Sequence, residues 1–212
     1  RHGMRNAPGT MSTGTTGGNI VFQGAVDGGT QGNEALTLAS RTGTVDFDST
    51  VGATTELGGL SVSGAQLDIG GNISTDGLNA GNGNVDITGV TTVTFTASPV
   101  TIDTDEATSA TNPGVFSTGA ITSGTTDLAI DSSASGGGSD QPVTLPAVTL
   151  DSLTVAGSTV TFQGAVSLSG DDGTVDADAL DVTAGSVVFE NAGSVTLTAG
   201  GGNVLVSGAV GG

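Results

Sequence analysis

Between residues 148 and 212 the chain cycles through two short apolar phrases separated by glycine-rich turns. One is Leu-Thr-Val-Ala-Gly from Leu153, which returns as Leu-Asp-Val-Thr-Ala-Gly from Leu180 and Val-Thr-Leu-Thr-Ala-Gly from Val195. The other is Val-Thr-Phe-Gln-Gly-Ala-Val from Val160, which returns as Val-Val-Phe-Glu from Val187 and Val-Leu-Val-Ser-Gly-Ala-Val from Val204. Each phrase holds apolar residues in i, i+2 register, the spacing that lines one side of a strand. Val160, Phe162, Gly164 and Val166 then face one way, and Thr161, Gln163, Ala165 and Ser167 the other. A pair of such short strands buries too little apolar surface to stand alone, so each must stack on copies above and below.

The same grammar runs through the rest of the chain. Strands are expected at Ile20 to Val26, Leu36 to Leu38, Val45 to Val51, Leu60 to Val62, Leu67 to Ile69, Val85 to Ile87 and Val93 to Phe95, then near Val115 to Ile121, Leu128 to Ile130 and Val143 to Leu150. No window has a helical period. Residues 1–17 hold two of the three arginines and both methionines, then run into Thr, Ser and Gly without alternation, and read as an arm or linker; residues 18–212 read as one elongated unit. Two stretches, 104–113 and 133–142, lose the alternation and are expected to loop away from the stack. Phe-Gln-Gly-Ala-Val occurs at residues 22–26 and 162–166, 140 residues apart. That interval is a whole number of coils if one coil takes about 20 residues.

Composition alone, with 38 glycines and 3% aromatic residues, would also fit a disordered chain. The 35% hydrophobic content decides against that reading, because it is arranged in alternation with Thr and Ser as in ordered strands. The net charge is −18, from 21 acidic residues against three arginines and no lysine, which excludes a nucleic-acid partner. No run of about 18 apolar residues exists, so no membrane span is expected. The first residues have no apolar segment and read as a cut or processed end rather than a signal peptide. Absence of cysteine fits a secreted protein held by backbone ladders, and fits many cytosolic proteins too.

These features predict a right-handed parallel β-solenoid (β-helix) of about ten coils of roughly 20 residues. The phrases from Val160, Ile20 and Leu180 resemble the degenerate repeats of filamentous-haemagglutinin-like bacterial surface proteins. That resemblance covers nearly the whole chain after residue 17. It implies a secreted, extracellular or cell-surface location, export by an autotransporter or two-partner route, and an adhesive or structural role.

Candidate chemistry is sparse. The turn Gly81-Asn-Gly-Asn-Val-Asp86 is similar to the calcium-binding nonapeptide Gly-Gly-x-Gly-x-Asp, but Val85 stands where the ligand Asp is needed, and residues 170–176 misplace their acid in the same way. Calcium takes six to eight oxygens, so ordinary turns are the simpler reading and no metal ligand or cofactor is assigned; calcium is kept as the alternative. Asp46, Asp68, Asp86, Asp103, Asp176 and Asp181 each follow an apolar strand residue and are expected to point outward, as a solvated acidic face or, if neighbours stack, as a cation bridge. The Thr-x-Thr phrases at 92–96, 159–161 and 196–198 offer a threonine-bearing face for glycan or ice, or simply reflect strand propensity. With one His, no Lys, no Trp and no Tyr, the chain lacks the parts of a carboxylate-pair glycosidase, and no catalytic residue is expected.

Both ends of the repeat run lack a polar cap. The expectation is a non-catalytic structural subunit whose partner is itself, stacked head to tail into a surface fibre. The alternatives are a stalk segment of a large secreted adhesin and a glycan- or ice-binding module; cell-surface or matrix components are further candidate partners.

Overall fold

The computed structural model describes the backbone of residues 2–3, 9–76, 83–104, 114–134 and 139–168, and of the strands between 172 and 211; side chains are described between 9 and 167 within those limits. The described elements are strands without a helix, and every pairing between them is parallel. The architecture is a β-solenoid. Each turn contributes one strand to each of three ladders, so the cross-section has three faces.

On the first face Val26, Val51, Ile73, Ile102, Ile130 and Val155 lie one above another, 25, 22, 29, 28 and 25 residues apart. These are five complete turns, each longer than the roughly 20 residues expected for a degenerate repeat. Followed from Gly9–Ser12 to Val204–Val206, the second face has nine rungs among the described strands. The expected solenoid of about ten regular coils is thereby corrected to fewer and unequal ones, the step from Val143 to Val160 taking only 17 residues. The extra length collects at one corner, between the first and second faces. There the chain leaves after Asp27, Val51, Thr75, Thr104 and Ser132 and re-enters at Ala35, Gly59, Val85, Phe116 and Val143. Both expected excursions belong to this corner. Most of their residues lie outside those described, but Gly114 donates to the Thr104 carbonyl (3.1 Å) and Gln141 to the Ser132 carbonyl (2.9 Å), which closes the base of each.

The two copies of Phe-Gln-Gly-Ala-Val turn different corners. Residues 22–26 pass from the third face to the first, and residues 162–166 from the second to the third. Their separation is therefore not a whole number of coils, and the phrase encodes a corner rather than a rung. Its logic is parity: three residues between Phe and Val leave both on the inward side, and Phe22, Val26, Phe162 and Val166 are all buried.

Inside, like residues stack on like. The third face carries Ile20, Val45, Leu67, Val93, Ile121, Val148 and Val166 in one column and Phe22, Phe47, Ile69 and Phe95 in the next. The Phe22 and Phe47 rings are stacked at 5.2 Å. Above Phe95 the column meets a buried serine, Ser123. Its hydroxyl accepts from the Phe95 N–H (3.2 Å), donates to the Phe95 carbonyl (3.0 Å) and lies 3.0 Å from the Thr126 hydroxyl, so the polar group enters the core satisfied.

Glycine is required where corners press on a neighbouring coil. A Cβ on Gly119 would collide with the Val90 carbonyl oxygen, and Gly52, at φ +76°, faces the Ser74 carbonyl in the same way.

The stretch expected to be an arm also supplies short strands. His2–Gly3 pairs with Val26–Asp27, and Gly9–Ser12 pairs with residues 36–39. Backbone pairing on an edge needs no apolar alternation, which is why the sequence pattern missed it.

Candidate functional site

The outward residues fall on three faces, and this decides which of them can act together. Asp46 and Asp68 occupy neighbouring rungs of the third face. Asp86 stands on the second face between Ser61 and Ser117, and Asp103 on the first between Ser74 and Asp131. Asp176 adjoins Ala156 on the first face, and Asp181 adjoins Thr161 on the second. Of the six acids, one pair is brought together; Asp131, not anticipated, makes a second pair with Asp103.

The Asp46 carboxyl is held above its ordinary value of 3.8, first by the loss of water around it and then by the negative charges of Asp48 and Asp68. Gln66 relieves Asp68 by donating to its Oδ1 (2.6 Å). A raised carboxyl pKa means that the fold binds this proton more tightly than the unfolded chain does. The associated stability is fully present below the unfolded value and is lost as pH rises through the folded one. Asp46→Asn, which is neutral throughout, is therefore expected to raise Tm slightly at pH 7. The gain should shrink in high salt and vanish as pH falls below 3.8, as thermal melts across pH will check.

In the calcium-like turn the Asn84 and Asp86 side chains accept hydrogen bonds from within the chain. Asp86 Oδ1 accepts from the Thr88 N–H (3.1 Å) and hydroxyl (2.7 Å), and Asn84 Oδ1 accepts from the Val115 N–H (2.9 Å). Gly81 and Asn82 lie outside the described residues, as do residues 170 and 171. Among the described residues no three His, Cys, Asp or Glu side chains are grouped so as to hold a metal ion.

The three Thr-x-Thr phrases do not share a surface. Thr92 and Thr94 are on the third face, Thr159 and Thr161 on the second, and Thr196 and Thr198 on the first. An outward column that does align runs up the second face through Thr37, Ser61, Asp86, Ser117, Thr144 and Thr161, with an acid in its middle.

Four acids that the sequence pattern left unremarked are buried at the loop corner: Asp27, Glu34, Glu56 and Asp76. They fasten loops. Glu34 Oε2 accepts from the Gly29 and Thr30 N–H groups (3.0 Å each), Asp27 Oδ1 from the Thr54 N–H (2.9 Å), and Asp76 Oδ2 from Gln31 Nε2 (3.1 Å). Threonines and serine line the same corner, where Thr104 donates to the Gly114 carbonyl (2.8 Å) and stands 3.2 Å from the Ser132 hydroxyl. Capping of loop backbone by short polar side chains is a structural task. The signal available in sequence was the Gly-Gly-Thr-Gln-Gly-Asn run that ends in Glu34.

The remaining surface is the axial one. All 21 acidic residues lie between Asp27 and Glu190, so residues 1–26 and 191–212 carry none. In the first coil Met11 occupies the column of the buried Leu38, yet is 47% exposed, and Val21 is 50% exposed. The first-coil strands pair on one edge within the described chain, as do the last-coil strands Val204–Val206 and Ala209–Gly211.

No protein family, no curated protein and no solved structure matches the chain. Among the described residues no helix is long and apolar enough to cross a membrane.

Proposed function

We propose that this chain is a non-catalytic structural subunit that stacks head to tail into a fibre at the cell surface. The observation that carries the reading is the distribution of charge along the axis. Two copies at −18 repel wherever their exposed acids face one another, whereas residues 1–26 and 191–212 carry no acid, and the strands Gly9–Ser12 and Val204–Val206 each pair on one side among the described residues. Two exposed like charges at the rung spacing of about 4.8 Å repel by roughly 1 kcal/mol in water, so several of them facing across a lateral contact oppose it strongly. The extracellular compartment rests on the resemblance to filamentous-haemagglutinin-like surface proteins.

The same open rung would receive a further coil of the same chain, the arrangement of an adhesin stalk, and that alternative predicts monomers of the isolated 212 residues. Negative-stain microscopy and sedimentation at neutral pH and 0.15 M salt should show rods lengthening with protein concentration. Val21→Glu, which puts an acid on the first rung, should shift the population back to monomers at unchanged circular dichroism. Dispersed monomers at every concentration would defeat the fibre reading.

A further inference from the structure

We infer that a second copy of this chain docks sideways on the second face, with its coils in the opposite order and Arg41 of each copy against Asp86 of the other. The contact stands apart from the head-to-tail reading and adds a lateral pairing to it. Repulsion between copies is weakest here. From Ala35 to Phe162 the strands of this face carry Asp86 as their one acid among the described side chains, whereas Asp46 and Asp68 stand on the third face and Asp103, Asp127 and Asp131 on the first. Its other outward residues are small. Thr37, Ser61, Ser117 and Thr144 leave a sheet surface that a second sheet can meet at about 10 Å.

The two charges of this face are self-complementary. Arg41 is the one lysine or arginine among the described residues, and it is exposed. It sits at φ +56° in the turn from Ser40 to Gly43, which is closed by the Gly43 N–H on the Ser40 carbonyl (2.9 Å) and by the Ser40 hydroxyl on the Gly43 carbonyl (2.8 Å). That turn continues the strand of Thr37, one rung to one side of Ser61, and Asp86 lies one rung to the other side. A two-fold axis at the level of Ser61 and parallel to its strand lays the Thr37 rung of each copy on the Asp86 rung of the other. It also keeps the corner between the second and third faces on the same side in both copies. The bonds from the Thr88 N–H and hydroxyl turn the Asp86 carboxylate toward that corner, where Arg41 of the other copy arrives. Pairing with the coils in the same order would instead set Asp86 against Asp86.

The overlap runs from the rung of Gly9–Ser12 to that of Phe116. At about 4.8 Å per rung and 3.3 Å per residue it covers roughly 400 Å² per copy, a contact of the weak and reversible class. Sedimentation equilibrium in about 0.05 M salt is expected to show dimers that loosen in about 0.5 M salt. Asp86→Arg lowers the net negative charge of each copy and would favour any non-specific association, yet it should weaken these dimers at least tenfold, because it sets arginine against Arg41. Arg41→Asp should do the same by setting acid against Asp86. The double swap should restore dimers to within about threefold of the unaltered protein, at unchanged circular dichroism. Absence of dimers at any concentration, or dimers indifferent to both reversals, would overturn the contact. Rods that lengthen without pairing side by side would overturn it too and leave the head-to-tail reading intact.

Discussion

Phe47→Ala is expected to destabilise the solenoid by about 3–5 kcal/mol, the cost of emptying an aromatic site from a closed core. Phe47 is 1% exposed, with Phe22 stacked below it and Ile69 above, and neither neighbour can collapse into the gap without leaving its own rung. Since each rung of a solenoid is held by the rungs on either side, the loss should also be local. Hydrogen exchange is the measurement that separates local from global effects. Amides from Ile20 to Phe95 should exchange faster, and those of Val143–Leu145 and the strand Val148–Phe162 should keep their protection. A uniform loss along the chain would mean that the coils unfold as one unit and that nearest-neighbour coupling understates their cooperativity.

Gly119→Ala is expected to cost about 1–3 kcal/mol although it adds a single methyl group, because overpacking against backbone cannot be relieved by a rotamer change. The added Cβ would meet the Val90 carbonyl oxygen of the coil below, at the corner between second and third faces. The comparison that makes this specific is Gly124→Ala. There the nearest atom to an added Cβ is Thr149 Cγ2 at 3.9 Å, an ordinary contact, and the change should stay within about 0.5 kcal/mol of neutral. Denaturant melts of the two variants side by side check the claim. Equal effects would show that glycine at the corners serves chain flexibility rather than close approach between coils.

How much could be read in advance follows from the range over which each feature is determined. Alternation is local. Val160, Phe162 and Val166 were legible as inward residues and are 0, 4 and 3% exposed, and Asp46 and Asp68 were legible as outward ones. The parallel stacked fold followed from the same pattern, because strands this short need neighbours on both sides. Stacking order is not local. The same valine-rich phrase serves the first, second and third faces, so nothing within Leu-Asp-Val or Val-Thr-Leu tells which ladder it joins. The Thr-x-Thr phrases, readable either as one face or as plain strand propensity, lie on three faces.

The buried acids show the same limit from the other direction. Asp27 follows an inward valine and should face water by alternation, but the loop after Val51 lies across it and donates the Thr54 N–H. Glu34 is buried by its own loop and by the coil above, whose Gly58 N–H donates to the Glu34 carbonyl at 2.8 Å. Such burial depends on loops of neighbouring turns, whose lengths vary without any trace in the apolar pattern.

The amino-acid sequence by itself determined the strands, their inward faces and the absence of acid before residue 27 and after residue 190, since each of these is a property of residues next to or two apart from one another. Only the tertiary structure decided that three strands make a turn and that the loops gather at one corner. Those outcomes depend on which rung rests on which, and that is settled by backbone pairing between residues 17 or more positions apart, to which a period of two is blind.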